Sequence, residues 1–458
     1  MSNVYELNVS REGIIKTLKD QFTDRFTFLQ EALQNARRAG ANIVDFLMDD
    51  ANLVLDIIDD GNGIDDFESL LTLGESGWDM QTMVKDYPYG VGFASLLMAA
   101  DAVQIRTQDK AAFFFTDDLL SFKPVVVNTM AYQAGTHIRL WLKTHYDPIF
   151  IGNVLQERVK GFELPVSFNG KSLERPAALN NPDRHYIGTP IGMVSLPIRH
   201  PTDMPDDADV RAFVQGLPVE FGGTFRKLYD SCILIHFAPH IRARMPDRDK
   251  LLDEADVRQQ WNAVRRKLFA EQLRYIKAHV PMQRFANDYW RSCAKWCPEL
   301  LTDVPVAPSM MMACEDITPR LPDWHWQHES ALVSWDSNRS LPRKGSLMLT
   351  GCFDAYDNQL ANLYALKKDL PVVEQALPVT HWAAKDAYDA TELPITYRVI
   401  GEEKTLSYKG SWIWVDVLFC DAIELVGTTL KPDFPHSKSD SWQLYPDLPP
   451  LWRLFLDL

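Results

Sequence analysis

Three short segments within the first hundred residues constrain this chain most: Glu31-Ala-Leu-Gln-Asn35-Ala36-Arg-Arg38-Ala39, Asp59-Asp60-Gly61-Asn62-Gly63 and Tyr89-Gly90-Val91-Gly92-Phe93-Ala-Ser. Phe26, Leu29, Leu33 and Ala36 recur at helical spacing, so the first segment is predicted to be a helix with Glu31 and Asn35 on one face. Asn52 to Ile58 is a β-rich run that brings Asp59 to the mouth of a strand, where two glycines let the backbone bend around a ligand. Gly90 and Gly92 lead into an apolar helix, Phe93-Ala-Ser-Leu-Leu-Met-Ala-Ala, whose first-turn N–H groups are free to face an anion.

Each segment suggests a chemistry. An Asn amide oxygen is a hard, neutral ligand for Mg2+, which takes its remaining ligands from phosphates and water. Asn35 fits that role. A carboxylate one turn earlier can polarise a water towards a terminal phosphate, and Glu31 is placed for it. An acid at Asp59 can accept from an exocyclic amine such as that of adenine. Taken singly, the segments also fit the polar face of a surface helix, a strand-to-helix turn and a glycine turn before a core helix. Their order and spacing together favour a site for ATP and Mg2+.

The same residues resemble the nucleotide-binding motifs of the GHKL superfamily, which comprises gyrase, heat-shock chaperones of the Hsp-ninety type, histidine kinases and MutL. The resemblance implies a Bergerat-type ATP-binding domain in which Glu31 is the general base and Asn35 the Mg2+ ligand. It implies that Asp59 reads adenine beside Gly61 and Gly63, and that Gly90, Val91, Gly92 and Phe93 border the phosphates. The stretch from Ile57 to Gly77, followed by the Tyr89-Gly-Val-Gly segment, is most similar to the chaperone and MORC branches. Residues 74–90 would then be a lid, with Ser76 and Lys85 near the phosphates. Gly135-Thr136 followed by alternating Ile138, Leu140 and Leu142 resembles the family's closing strand, with the Thr136 hydroxyl near adenine. One residue departs from the family: Arg38 stands where many relatives carry Asp, three positions after the Asn.

Downstream, Asn169-Gly170 between β-rich runs predicts a two-residue hairpin turn. Ser231 to Phe237 reads as a buried strand, followed by a mixed-charge loop and a helix from about Glu254 to Ala278. This is the order of a GHKL transducer domain, whose loop sends a cation to the terminal phosphate, as stabilisation of developing charge requires. Arg248 and Lys250 are the candidates. Asp247, Asp249 and Asp253 interleave with them, which also fits a solvated loop. The expected class is an α/β sandwich (α+β) in three domains: 1–160 binding ATP, 161–290 transducer-like, and 291–458 an unrecognised α+β module.

With 46% hydrophobic residues, 458 residues can build sizeable cores. No basic start is followed by an apolar run, so the expected location is cytoplasmic, without a membrane span. Six scattered cysteines suggest free thiols, and Cys293 and Cys297 read as helical core residues rather than a zinc pair. His236, on an apolar strand, reads as a core histidine. The proline-rich tail from Trp442 is expected to dock on its own domain rather than form a long helix.

A net charge of −15 does not suit binding through phosphate neutralisation, although Arg258, Arg265, Arg266 and Lys267 can make a local stripe. The expected activity is a slow Mg-dependent ATPase that closes its lid, forms a nucleotide-dependent homodimer and remodels a protein client. The alternative is a MutL- or MORC-like clamp on DNA in genome maintenance or phage defence. A histidine kinase is disfavoured, because no dimerising phosphoacceptor helix precedes the motifs.

Overall fold

A computed structural model describes residues 22, 24–72, 92–144, 146–198, 200–206, 208–222, 229–244 and 248–312. Beyond these it describes the segments 314–316, 331–333, 341–351, 364–365, 368–389, 395–400, 404–409, 414–419, 422–427, 440–443 and 454–456.

Helix α1 (Thr27–Arg38) forms where the apolar period lies, and Phe28, Leu29, Ala32, Leu33 and Ala36 are all buried along it. Asp24 starts the helix, its carboxylate accepting from the Phe26 amide at 2.8 Å and its carbonyl from the Thr27 hydroxyl at 2.8 Å. Gly40, at φ +71°, stops it in a backbone region that side chains disfavour. Arg37 and Arg38 in the last turn complement the helix dipole.

The chain continues through β1 (Val44–Asp49), β2 (Val54–Asp59), α2 (Phe67–Leu71), α3 (Gly92–Ala99), β3 (Ala100–Phe115) and α4 (Thr116–Leu120). It then forms β4 (Val127–Leu142), α5 (Pro148–Arg158), β5 (Val166–Phe168) and β6 (Lys171–Ser172). These strands make one six-stranded sheet in the order β3-β4-β2-β1-β5-β6. Its pairings are antiparallel except β1 with β5.

Alternation sorts the faces of this sheet. Val44, Phe46, Leu55, Ile57, Val103, Ile105 and Leu140 pack in one core with Phe28, Leu29 and Leu33 of α1, Leu96 of α3 and Ile151 of α5. Each fully buried Leu or Phe there contributes roughly 1.5–3 kcal/mol. On the opposite face Arg139 grips its cross-strand neighbour Asp56 at 2.7 and 2.9 Å. Burial acts to raise the Asp56 carboxyl, but Arg139 and His137 outweigh it and hold the group below the usual range.

The Asn169-Gly170 turn is a hairpin, with both residues at positive φ, between β5 and β6. It sits on the edge of the first sheet, because β5 pairs with β1. A second sheet takes β7 (Ile187–Thr189), β8 (Gly192–Ser195), β9 (Asp209–Val214), β10 (Leu217–Val219) and β11 (Cys232–Phe237) in the order β10-β9-β11-β8-β7. All six residues of the inner strand β11 are buried, which explains a run that is apolar except for His236.

The chain divides into two units, Met1–Arg199 with Pro205–Arg265, and His200–Met204 with Arg266–Leu458. Both sheets belong to the first, and the division falls within α6 (Glu254–His279). In the second, α7 (Met282–Trp296) buries Phe285, Tyr289, Trp290, Cys293 and Trp296 on one face. Ala422–Gly427 pairs with Ile395–Ile400 and Asp440–Gln443, while Trp414–Phe419 pairs with Lys404–Lys409 and with Leu454–Leu456 of the tail. The architecture is mixed α/β with several sheets and helices. No described helix is long and apolar enough to cross a membrane.

Candidate functional site

Glu31 is 3% exposed, so α1 does not present it to solvent. Gly92 opens α3 directly against it: a Cβ at Gly92 would lie 2.3 Å from Glu31 Oε2, a distance only glycine avoids. One turn along α1, the Asn35 side-chain oxygen accepts from Arg38 Nη1 at 3.2 Å. Arg38 therefore engages the oxygen that the sequence suggests as a Mg2+ ligand. At the end of the helix, the Asn62 amide donates to the Ala39 carbonyl at 2.9 Å, and a Cβ at Gly61 would lie 2.8 Å from that of Ala39. Gly92, Glu31, Asn35, Ala39, Gly61 and Asp59 thus follow one another along one side of α1.

Asp59 ends β2 half-buried, its Oδ1 accepting from the Gly61 amide at 2.9 Å. Burial pushes its carboxyl above the usual carboxylate range and neighbouring Asp60 adds to the rise, while the Gly61 and Thr136 amides pull the other way. Thr136 lies opposite Asp59 across β2 and β4, and opposite Thr107 across β4 and β3. Buried Thr107 ties the turn to the sheet: its hydroxyl accepts from the Ile64 amide at 2.9 Å and donates to the Gly135 carbonyl at 3.1 Å. Gly63, at φ +86°, and Gly135, at φ +77°, fit against these groups, and a Cβ at Gly135 would lie 1.9 Å from the Asp59 carbonyl oxygen. Phe93 contributes its backbone position only, since its ring packs edge-on to Phe114 at 6.3 Å in the core.

The second sheet reaches α1 at Glu31. Arg248 Nε donates to Glu31 Oε1 at 2.7 Å, and the arginine itself is 6% exposed. Its backbone is left-handed, at φ +55°, in a loop braced by the Arg244 amide on the Lys250 carbonyl (2.7 Å) and the Leu252 amide on the Arg242 carbonyl (2.9 Å). Gln215 and Gly216, at φ +53° and +80°, form the turn between β9 and β10, the two-residue geometry of a twisted hairpin. The Gln215 carbonyl accepts from Gln34 Nε2 at 3.1 Å, and its side chain lies 3.5 Å from Arg248 Nη1.

Of the two candidate cations, Arg248 therefore meets Glu31, whereas Lys250 is half-exposed and faces Glu220 at 3.8 Å. Ser76, Lys85, Gly90, Val91 and the expected lid 74–90 lie outside the described residues. Thr107, Gln34 and Gln215 were not legible as site residues. Only the Gln215-Gly216 turn between β-rich runs carried a signal.

His236 is a buried core residue: its Nε2 is 2.7 Å from the Ala177 carbonyl, its ring stacks on Phe213, and burial lowers its pKa to about 4. Cys232, Cys293 and Cys297 are buried and form no disulfide. Arg258 pairs with Glu254 and covers the Phe221 ring, so it is not a bare member of a basic stripe. Among the described residues no group of three or more His, Cys, Asp or Glu side chains is arranged to hold a metal. No protein-family model matches the chain, and no curated protein matches it in sequence.

Proposed function

We propose that the first unit is a GHKL-type, Bergerat-like module with a transducer-like second sheet, and that it binds and slowly hydrolyses ATP. The observation that carries this reading is that the helix carrying Glu31 and Asn35 meets Gly92 at Glu31 and the Asp59–Gly61 turn at Ala39. An acid half-buried beside amides suits recognition of an exocyclic amine, and the glycines leave the backbone close to a ligand. Glu31, one turn from Asn35, takes the proton of the attacking water as its oxygen joins the terminal phosphorus. The bond from that phosphorus to the bridging oxygen breaks, releasing ADP and phosphate.

Asn35 suits Mg2+, which needs few protein oxygens when phosphates supply others; the Arg38 contact is long enough to be exchanged. Bound there, the ion would neutralise phosphate charge. Arg248 holds Glu31 and belongs to the second sheet's loop, so it can sense the terminal phosphate from the same position. The acidic charge of the whole chain favours a protein client remodelled by a nucleotide-dependent homodimer over a DNA clamp.

The test is Mg-dependent ATP turnover beside calorimetric ATP binding in wild type and Glu31→Gln. Binding should persist and turnover vanish in the variant; undiminished turnover would remove Glu31 from the reaction. The same assay with added DNA should show no stimulation, and clear stimulation would favour the clamp.

A further inference from the structure

A cavity of about 430 Å³ lies in the first unit beside Arg248, bordered by Arg37 at the end of α1, the second sheet and the 238–243 loop. That volume falls in the range of small-molecule sites. The cavity touches none of Asn35, Asp59, Gly61, Gly63 or Thr136, and it shares Arg248 and Gln215 with the site described above. Val214, Phe237 and Ile241 give it an apolar, buried wall, while Leu179 and Met193 are more exposed and mark its mouth.

Among the described residues its charged groups are Arg37, Arg242 and Arg248 against Glu163. Even with Glu31 counted behind Arg248, cations outnumber carboxylates three to two among the described residues, on a chain whose net charge is −15. His236, which also borders it, is neutral at pH 7. A positively charged, mostly apolar cavity in an acidic protein selects an anion carried on a hydrocarbon body.

We propose that this cavity binds a small organic anion, a carboxylate or phosphate on an apolar body, through Arg242 and Arg248, and that the ligand competes with Glu31 for Arg248. The second clause follows from the geometry of the shared guanidinium. Its Nε is committed to Glu31 at 2.7 Å, whereas Nη1 is 3.5 Å from Gln215 Oε1, at the long limit of a hydrogen bond. An anion in the cavity draws the guanidinium away from Glu31 and repels its carboxylate. Linkage makes the effect reciprocal: whatever weakens Glu31's hold strengthens the anion's. The consequence for catalysis, release of Glu31 towards its water, rests on the ATPase reading; the binding does not.

Calorimetry on the full chain without nucleotide tests both clauses, with octanoate and octyl phosphate as anions and octanol and octylamine as controls of the same body. One of the anions should bind at a single site at least about tenfold more tightly than either control, a difference of 1.4 kcal/mol. Met193→Trp, at the half-exposed mouth, should remove that binding with thermal unfolding unchanged, and Arg242→Gln should weaken it. Glu31→Gln should tighten it by about fivefold, the low end of measured couplings. Equal binding of octanol, or undiminished binding in both cavity variants, overturns the site. Unchanged affinity in Glu31→Gln overturns the shared arginine. These readings hold even if the chain fails to hydrolyse ATP, which would sink the nucleotide proposal alone.

Discussion

The two ends of α1 bury acids in different ways. At Glu31 the carboxylate is enclosed and answered by a full positive charge from Arg248, 217 residues away in sequence. At Asp59 the carboxylate is half-buried and answered by amides, one of them only two residues on, with no cation among its described ion pairs. The first arrangement is a clamp between α1 and the loop that carries Arg248; the second is a local turn that leaves part of the acid's hydrogen-bonding capacity for something else. Enclosure with a partner suits a group whose position is controlled, and partial burial with spare capacity suits one that reads a ligand.

That contrast is sharpest in Arg248→Ala. Removing one partner of a buried pair strands the other, and we expect a loss of about 3–5 kcal/mol in denaturant unfolding. In the double variant Glu31→Gln/Arg248→Ala, where no charge is stranded, much of that loss should return. A loss below about 1 kcal/mol in the single variant would place the pair in effectively aqueous surroundings and break the comparison.

His236 tests whether uncompensated burial governs the second sheet as well. Its pKa falls from 6.5 to about 4 on folding, so between those values the unfolded chain binds the proton more readily. The stability it contributes is complete above pH 6.5 and is lost as the pH falls through 4. With 1.36 kcal/mol per unit, the first unit should lose on the order of 3 kcal/mol through this group, and His236→Gln should flatten that part of the profile. Parallel pH profiles for the two proteins would contradict the assignment.

Thr107 separates local motif from tertiary support. Thr107→Val keeps the shape but leaves the Ile64 amide and Gly135 carbonyl without their hydroxyl partner, at a cost of about 1–3 kcal/mol. Because those groups brace the Asp59 turn, ATP affinity should fall with stability. Unaltered affinity in a destabilised variant would show that the turn holds its shape without the sheet.

The same contrast explains what the sequence disclosed. Asp59, Gly61 and Gly63 make contacts within a few residues, so turn chemistry exposed them, and the helical period placed Glu31 and Asn35 on one helix. Glu31's burial and its pairing with Arg248 required α1 to meet a distant loop, and no local pattern encodes that meeting. Arg248 and Lys250 looked equivalent in a mixed-charge loop; the left-handed backbone at Arg248 distinguishes them. The Asn169-Gly170 turn was readable, but its sheet was not, because the parallel pairing of β5 with β1 joins segments over a hundred residues apart. Thr107 sat unremarked in a long strand, since a single threonine in a β-rich run has no signature.

Asp59→Asn should have the smallest effect on the folded chain and a disproportionate effect on ligand. Burial raises the Asp59 carboxyl's pKa, so ionisation is harder in the folded state than in the unfolded one. The sign follows: the group's stabilising contribution is complete below the unfolded carboxylate range and is lost as pH rises through the folded value. Above its folded value the wild type carries a charge it would fold better without, and Asp59→Asn should be no less stable there. Measured from pH 3 to pH 7, the variant's stability relative to wild type should rise. ATP binding should move the opposite way, because an amide offers an N–H where the adenine amine needs an acceptor, and a mismatched buried polar group costs about 1–3 kcal/mol. Paired unfolding curves and calorimetry separate the two effects. A variant that loses stability and affinity together would make Asp59 a structural acid, whereas one that keeps affinity would move adenine recognition to another residue.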